Sequence, residues 1–285
     1  MNRSQALEKL QTIQNLPALP SIVLEVNRLL QDVDASIDQL VKMLEKEQSL
    51  VMKLLKLVNS SFYGFKNKVN SLRHAVTLMG YNTIQNAVVT IAIVDALQFT
   101  KNLNNFKIDL FWQHAIRVAV MNRYLAARTR LVPVEEAFTA GLIHDIGKVV
   151  LVNFFPQDLM TVLREIQTAN ISFCQAETKL AICPHSIIGS YLARRWMLPE
   201  SLVEAIGHHH DMGSAEKPQE ALTAMVGFSN SLVHIMDEDA GYHLPTLQGH
   251  EGIRDLIIDV LRDGNQWLVD IRGEMDAACS FFNKG

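Results

Sequence analysis

The chain has few of the features that staple a protein, anchor it or steer it from outside its core. Three cysteines, Cys174, Cys183 and Cys279, are too few and too irregular for a disulfide framework or a zinc ribbon. A reducing cytoplasm suits that usage. No run reaches the ~20 apolar residues that a bilayer-spanning helix needs. The longest, residues 87–94, is interrupted by Thr90 and stopped by Asp95. Met1-Asn2-Arg3-Ser4-Gln5 leads into a mixed polar and apolar segment, not a secretory leader. A soluble cytoplasmic protein with no membrane partner is therefore expected. Neither sign of charge dominates, since 26 Lys and Arg stand against 30 Asp and Glu, for a net charge of −4. That balance gives no global pull toward nucleic acid. Period-2 alternation with hairpin turns is missing, as is any low-complexity tract, and this excludes a sheet-based architecture.

What is present is enough apolar material for a large core, 48% of 285 residues. A chain of roughly 300 residues buries about 75% of its unfolded surface, so it needs no staples. The periodicity is helical nearly throughout, and an all-α fold is predicted. Ile22, Val26, Leu29 and Leu30 share one face, and Ser36 with Gln39 forms a capping box before the next helix. Ser71 opens a helix that Gly80 closes, and Asn82 with Gln85 is expected to cap the helix through Leu97. Pro133, Pro156, Pro184 and Pro199 mark later helix starts. Residues 102–105 dilute the pattern and divide the chain into an N-terminal helical subdomain, 1–106, and a second one, 107–285.

The chemistry-bearing residues gather around His144-Asp145, where an apolar segment turns polar within Ala140-Gly141-Leu142-Ile143-His144-Asp145-Ile146-Gly147-Lys148. Further histidines lie at His114, His185, His208, His209 and His210. Imidazole and carboxylate are ligands for divalent metals, and metal-assisted hydrolysis needs such a set in one cleft. Each feature also has an ordinary reading. A lone histidine is more often a core or surface residue than a ligand, and three in a row suit a polar helix end, where imidazolium meets the dipole. Lys148 falls on the face of Asp145 if the helix continues, and there it either binds an anion or simply faces solvent. His114 sits on an apolar helical face and must find a partner. Cys183, beside His185, is either a soft ligand or a buried thiol. Residues 59–64 are either a binding loop or a helix stop with aromatic plugs. The basic neighbourhood of Lys66, Lys68, Arg73 and His74 lacks the regular stacking aromatics of a nucleic-acid site.

Several motifs in order resemble the HDOD family, the HD-related output domains of bacterial signalling proteins. They are Leu16-Pro17-Ala18-Leu19-Pro20, Val58-Asn59-Ser60-Ser61-Phe62-Tyr63-Gly64, Ser71-Leu72-Arg73-His74-Ala75, Phe111-Trp112-Gln113-His114, the run around His144-Asp145, Pro184-His185, Leu198-Pro199-Glu200 and His209-His210-Asp211. The resemblance covers roughly residues 11–211. The resemblance implies a multi-helix HD-like bundle, a regulatory role and kinship to the metal-dependent HD phosphohydrolases. It further implies one metal ion at His114, His144 and Asp145, and a second, bridged by Asp145, at His185, His209 and His210. Asp145 and Lys148 would then carry any catalysis. Such N/O ligands suit Fe, Mn, Ni or Zn without selecting among them. Two departures stand out. Asn230 occupies the place of the last carboxylate of the superfamily. The Gly-Tyr-Pro element of the cyclic-dinucleotide phosphodiesterases is missing after His210. Three functions remain open: a regulatory module with a metal-binding pocket, an active phosphohydrolase or phosphodiesterase, and, more remotely, a nucleic-acid-associated regulator. A regulatory protein partner is expected for the first, and a nucleotide or phosphorylated small molecule for either of the first two.

Overall fold

The structure is a computed structural model that describes residues 1–30, 36–59, 65, 67–97, 106–214, 219–237, 243–244, 250–262 and 266–282. Among these the chain is helical with no strand, as expected. Residues 60–64 of the loop or helix stop read at 59–64, and the boundary at 102–105, lie outside the described residues. Two compact units form, Met1–Leu16 with Thr100–Ile271, and Pro17–Phe99 with Arg272–Gly285. Helix α1 (Arg3–Thr12) belongs to the first and larger unit.

The smaller unit holds α2 (Ser21–Leu30), α3 (Ile37–Leu44), α4 (Gln48–Val58), α5 (Leu72–Met79) and α6 (Tyr81–Leu97). Helices α2, α4 and α5 pack on α6, whose residues 87–93 are all buried. A helix hidden on every side has no polar stripe, so the apolar run there marks a core helix. Ser36 and Gln39 make the expected reciprocal cap on α3. Asn59 at the end of α4 ties residue 69 down through both its amide groups, 2.8 Å and 2.7 Å from the Val69 carbonyl and N–H. The expected cap at Asn82 does not form, because α6 already starts at Tyr81. Gly80, at φ 81°, reverses the chain, and its own carbonyl accepts the first bond from Ile84 N–H. No separate capping residue is needed.

The larger unit continues with α7 (Ile108–Thr129), α8 (Val134–Ile143), α9 (Ile146–Phe154), α10 (Pro156–Ala169), α11 (Phe173–Lys179), α12 (His185–Arg195), α13 (Glu200–His208), a 3-10 turn (Met212–Ser214), α14 (Glu220–Met236) and α15 (Glu251–Leu261). The last helix, α16 (Gln266–Phe282), runs across the division. Pro156 opens α10, while Pro184 and Pro199 directly precede α12 and α13, as their fixed φ favours. Helices α7 and α8 pair, α14 packs across both, and α12 lies between α9 and α13. The stretch Val134–Phe154 has a mean hydropathy of 1.3 and is long and apolar enough to cross a membrane by composition alone. Here 89% of it is buried inside the protein, so its apolar character builds the core around the site.

Candidate metal centre

The polar side chains that meet in the core of the larger unit come from α7, the break between α8 and α9, α11, the start of α12, the end of α13 and α14. The break matters most. Helix α8 stops at Ile143, His144 and Asp145 turn the chain, and α9 restarts at Ile146 with Asp145 at its N-cap position. The helix does not run on through Lys148, yet the new first turn still sets Lys148 beside Asp145. Close backbone packing fixes this point. A Cβ on Gly147 would stand 1.8 Å from the His185 carbonyl oxygen, and one on Gly227 of α14 would stand 2.4 Å from that of His209. Only glycine lets these helices approach so closely.

Asp145 is the hub, and its two oxygens face different partners. Oδ1 lies 3.0 Å from His185 Nε2 and 3.6 Å from His209 Nε2. Oδ2 lies 2.6 Å from Lys148 Nζ and 3.4 Å from His144 Nε2. Lys148 is buried, with its ammonium also over the Phe173 ring at 4.8 Å. The solvent-facing alternative for Lys148 is thus overturned, because its one carboxylate partner lies inside the core. His210 Nε2 is 3.2 Å from His185 Nε2, and two ring nitrogens that face each other hold at most one proton between them. His114 Nε2 is hydrogen-bonded to Asn230 Oδ1 at 2.9 Å. His114, His144, Asp145, Lys148, His185, His209 and His210 therefore meet in one place. Their ligand-type atoms form two groups, each within 4.8 Å: Asp145, His185, His209 and His210, and His114, His144 and Asp145.

The histidines are oriented from behind. His144 Nδ1 donates to the Gly141 carbonyl at 2.7 Å and His209 Nδ1 to that of Ile206 at 2.8 Å. A carbonyl only accepts, so each Nδ1 carries the proton and each Nε2 presents a lone pair. Both Nε2 atoms are buried with no hydrogen-bond partner. Orphaned buried groups are costly, and convergent imidazole lone pairs around a carboxylate are what a divalent ion satisfies. The residues present fit such an ion.

The protonation states agree. Burial pushes His209 down to about 4, and burial followed by Lys148 pushes His234 to about 3. Burial, then neighbouring imidazoles, holds His114 and His210 well below the usual value. Burial opposes the charge on His185 too, but Glu177 and Asp145 raise it. Asp145 is penalised by burial, and His144 and Lys148 overcome this and hold it well below the usual carboxylate range. The centre is one charged carboxylate among mostly neutral imidazoles.

Two residues escaped the sequence reading. Glu177, fully buried on α11, accepts from both the His185 N–H at 2.7 Å and its Nδ1 at 2.8 Å. His234 stacks on His114 with ring centroids 4.1 Å apart. It stands four residues after Asn230, a helical spacing that could have exposed it. His208 takes no part and stays partly exposed beside Glu204, so the polar helix end holds for that histidine alone. Cys183 is a buried thiol pushed up to about 11 by burial and Glu177, and it stands outside both ligand groups. A cavity of about 620 Å³ opens beside the cluster, with His114, Asp145, Lys148 and His234 at its floor and Phe106, Phe111 and Phe173 in its walls.

Comparison with known proteins adds the following. The sequence model of the HDOD domain matches residues 16–212. An HDOD domain protein of unknown function from Geobacter sulfurreducens superposes with a TM-score of 0.80 at 28% identity, covering 96% of this chain and 97% of that one. A Marinobacter aquaeolei protein provisionally assigned to signal transduction has the same fold, with a TM-score of 0.75 at 22% identity over 94% of this chain and 60% of that one. An uncharacterised Treponema pallidum protein is 30% identical over 81% of this chain and 44% of its own length. The chain spans less than half the length of the curated relatives it matches.

Proposed function

The chain belongs to the HDOD family, and on that premise we propose that it is a bacterial regulatory module whose His/Asp pocket binds a divalent metal without turning over a substrate. One observation carries this reading: Lys148 occupies Asp145 Oδ2 at 2.6 Å while Asn230, a neutral amide, stands where a carboxylate would complete the ligand set. Ligands for binding are kept, and the negative charge that would balance a full hydrolytic centre is not. The metal, Fe, Mn, Ni or Zn, would be held by members of the set His114, His144, Asp145, His185, His209 and His210. Such an ion supplies Lewis-acid polarisation of a phosphoryl oxygen. The cavity beside it suits a nucleotide or phosphorylated small molecule as the ligand that is sensed. A regulatory protein partner in the cytoplasm would read the outcome, in keeping with the signalling role assigned to the Marinobacter protein.

The test is metal analysis of tag-free protein, combined with phosphatase and phosphodiesterase assays in added Mn, Fe, Ni or Zn. Bound metal that is lost in Asp145→Ala, with no turnover in either protein, supports the module. Metal-dependent turnover lost in Asp145→Ala would make the chain a phosphohydrolase instead. The cavity at Asp145 and Lys148 is the observation that favours that second reading.

A further inference from the structure

The two groups of ligand atoms share Asp145 but are not equivalent. In the first, Asp145 Oδ1 faces His185 Nε2 and His209 Nε2, with His210 Nε2 3.2 Å from His185. The ion-pair partners of Oδ1 among the described residues are these imidazoles, and His185 and His209 are held from behind by Glu177 and the Ile206 carbonyl. In the second, Asp145 and His114 are engaged by groups outside the ligand set, whereas the Nε2 contacts of His185 and His210 in the first are with other members of it. Oδ2 is bound by the Lys148 ammonium. His114 Nε2 is bound to the Asn230 amide, and in either orientation of that amide the bond consumes one ring nitrogen. Only His144 keeps an orphaned Nε2 there. A single open ring nitrogen does not hold a dication, least of all beside a buried ammonium whose repulsion is poorly screened.

We infer that the centre takes a single metal ion, at Asp145, His185, His209 and His210, and that Lys148 stands in place of a second ion on the His114–His144 side. Lys148 supplies the positive charge that Asp145 Oδ2 would otherwise receive from metal, and Asn230 removes the carboxylate that would draw another dication in. The inference rests on the metal-binding reading above and specifies it. The Lys148–Asp145 pair is then a fixed part of the fold rather than a substrate contact.

Tag-free full-length protein, reconstituted with Mn(II) and dialysed, is measured for metal per chain and by electron paramagnetic resonance. One ion per chain with an uncoupled Mn(II) signal is expected. The double variant Lys148→Met/Asn230→Asp is expected to take up a second ion and to show a spin-coupled signal. In single variants, His210→Gln should weaken uptake more than tenfold, while His144→Gln should leave it within about threefold. Circular dichroism of each variant confirms folding before uptake is compared. Two coupled ions in the unaltered protein would overturn the inference but leave the metal-binding pocket standing. So would one ion that depends on His144 and not on His210. No ion at all would overturn the pocket reading, and this inference with it.

Discussion

The two units solve the burial problem in opposite ways. In the smaller one, Thr90 is the one buried polar residue among those described, and Leu40, Leu44, Leu54, Val58 and Ile93 fill the centre. In the larger one, His144, Asp145, Lys148, Glu177, His185 and His209 are all buried. The smaller core stands on apolar area removed from water. The larger must hold a polar set that costs free energy unless every member is paired. The two units should therefore fail under different insults.

Acid should separate them most. Unfolded imidazoles titrate near ~6.5, whereas His209 is lowered to about 4, His234 to about 3, and His114 and His210 well below the usual value. As pH falls below ~6.5 the unfolded chain takes up protons that the folded one refuses, so stability is lost from ~6.5 down to about 4 for His209 and about 3 for His234. His185, raised by Glu177 against its burial, opposes this with stability present below ~6.5, but it is one group against four. Asp145, lowered in the fold, adds a further loss as the pH falls below ~3.9. In metal-free protein, hydrogen exchange at pH 7 and pH 4.5 should show α7–α9 and α12–α14 losing protection before α3–α6. Equal loss in both would break the comparison.

A truncated core should do the reverse. Leu54→Ala in α4 removes a fully buried side chain and is expected to cost about 2–5 kcal/mol, read from urea unfolding. Metal content should stay unchanged. A fall in metal content would mean that the smaller unit supports the pocket after all.

Much of this architecture could be read from local signals, and the pocket only in part. Ser36 with Gln39 and the prolines before α10, α12 and α13 act within a few residues, so their effect is visible in sequence. Asn82 misled because Gly80 ends one helix and starts the next, and two adjacent signals compete for one role. The histidine set was legible as a set, through its resemblance to a known family. What it lacked was direction. Lys148 reads equally as an anion-binding or a solvent-facing lysine until the break at His144-Asp145 turns it inward. Glu177 reaches His185 only through the turn that joins α11 to α12, and no periodicity announces such a contact.

Glu177 gives the next test, with a moderate effect confined to one unit. Glu177→Gln keeps size and an acceptor but loses the charge that holds His185 Nδ1–H at 2.8 Å. Groups that orient a metal-bound histidine typically change affinity 10–100-fold when replaced. Competition with a chelator should show that loss, while α2–α6 keep their protection in hydrogen exchange. Unchanged affinity would make Glu177 a purely structural partner of the His185 backbone.

The smallest effect sharpens the contrast most directly, because it compares two ion pairs of nearly equal length. Arg73–Asp38 in the smaller unit spans 2.5 Å with both side chains 59% exposed, whereas Lys148–Asp145 spans 2.6 Å at 10% and 2%. Solvent screens the first, and holding two long side chains in place offsets what attraction remains, so Arg73→Ala should cost less than about 1 kcal/mol. Raising salt to ~1 M should erase even that, since the screening length shrinks to about 3 Å. Lys148 cannot be removed so cheaply, because its loss would strand a carboxylate in the core. A cost for Arg73→Ala above about 2 kcal/mol, persisting at high salt, would show that the smaller unit also depends on a desolvated charge. The division between an apolar scaffold and a polar pocket would then be wrong at its simplest point.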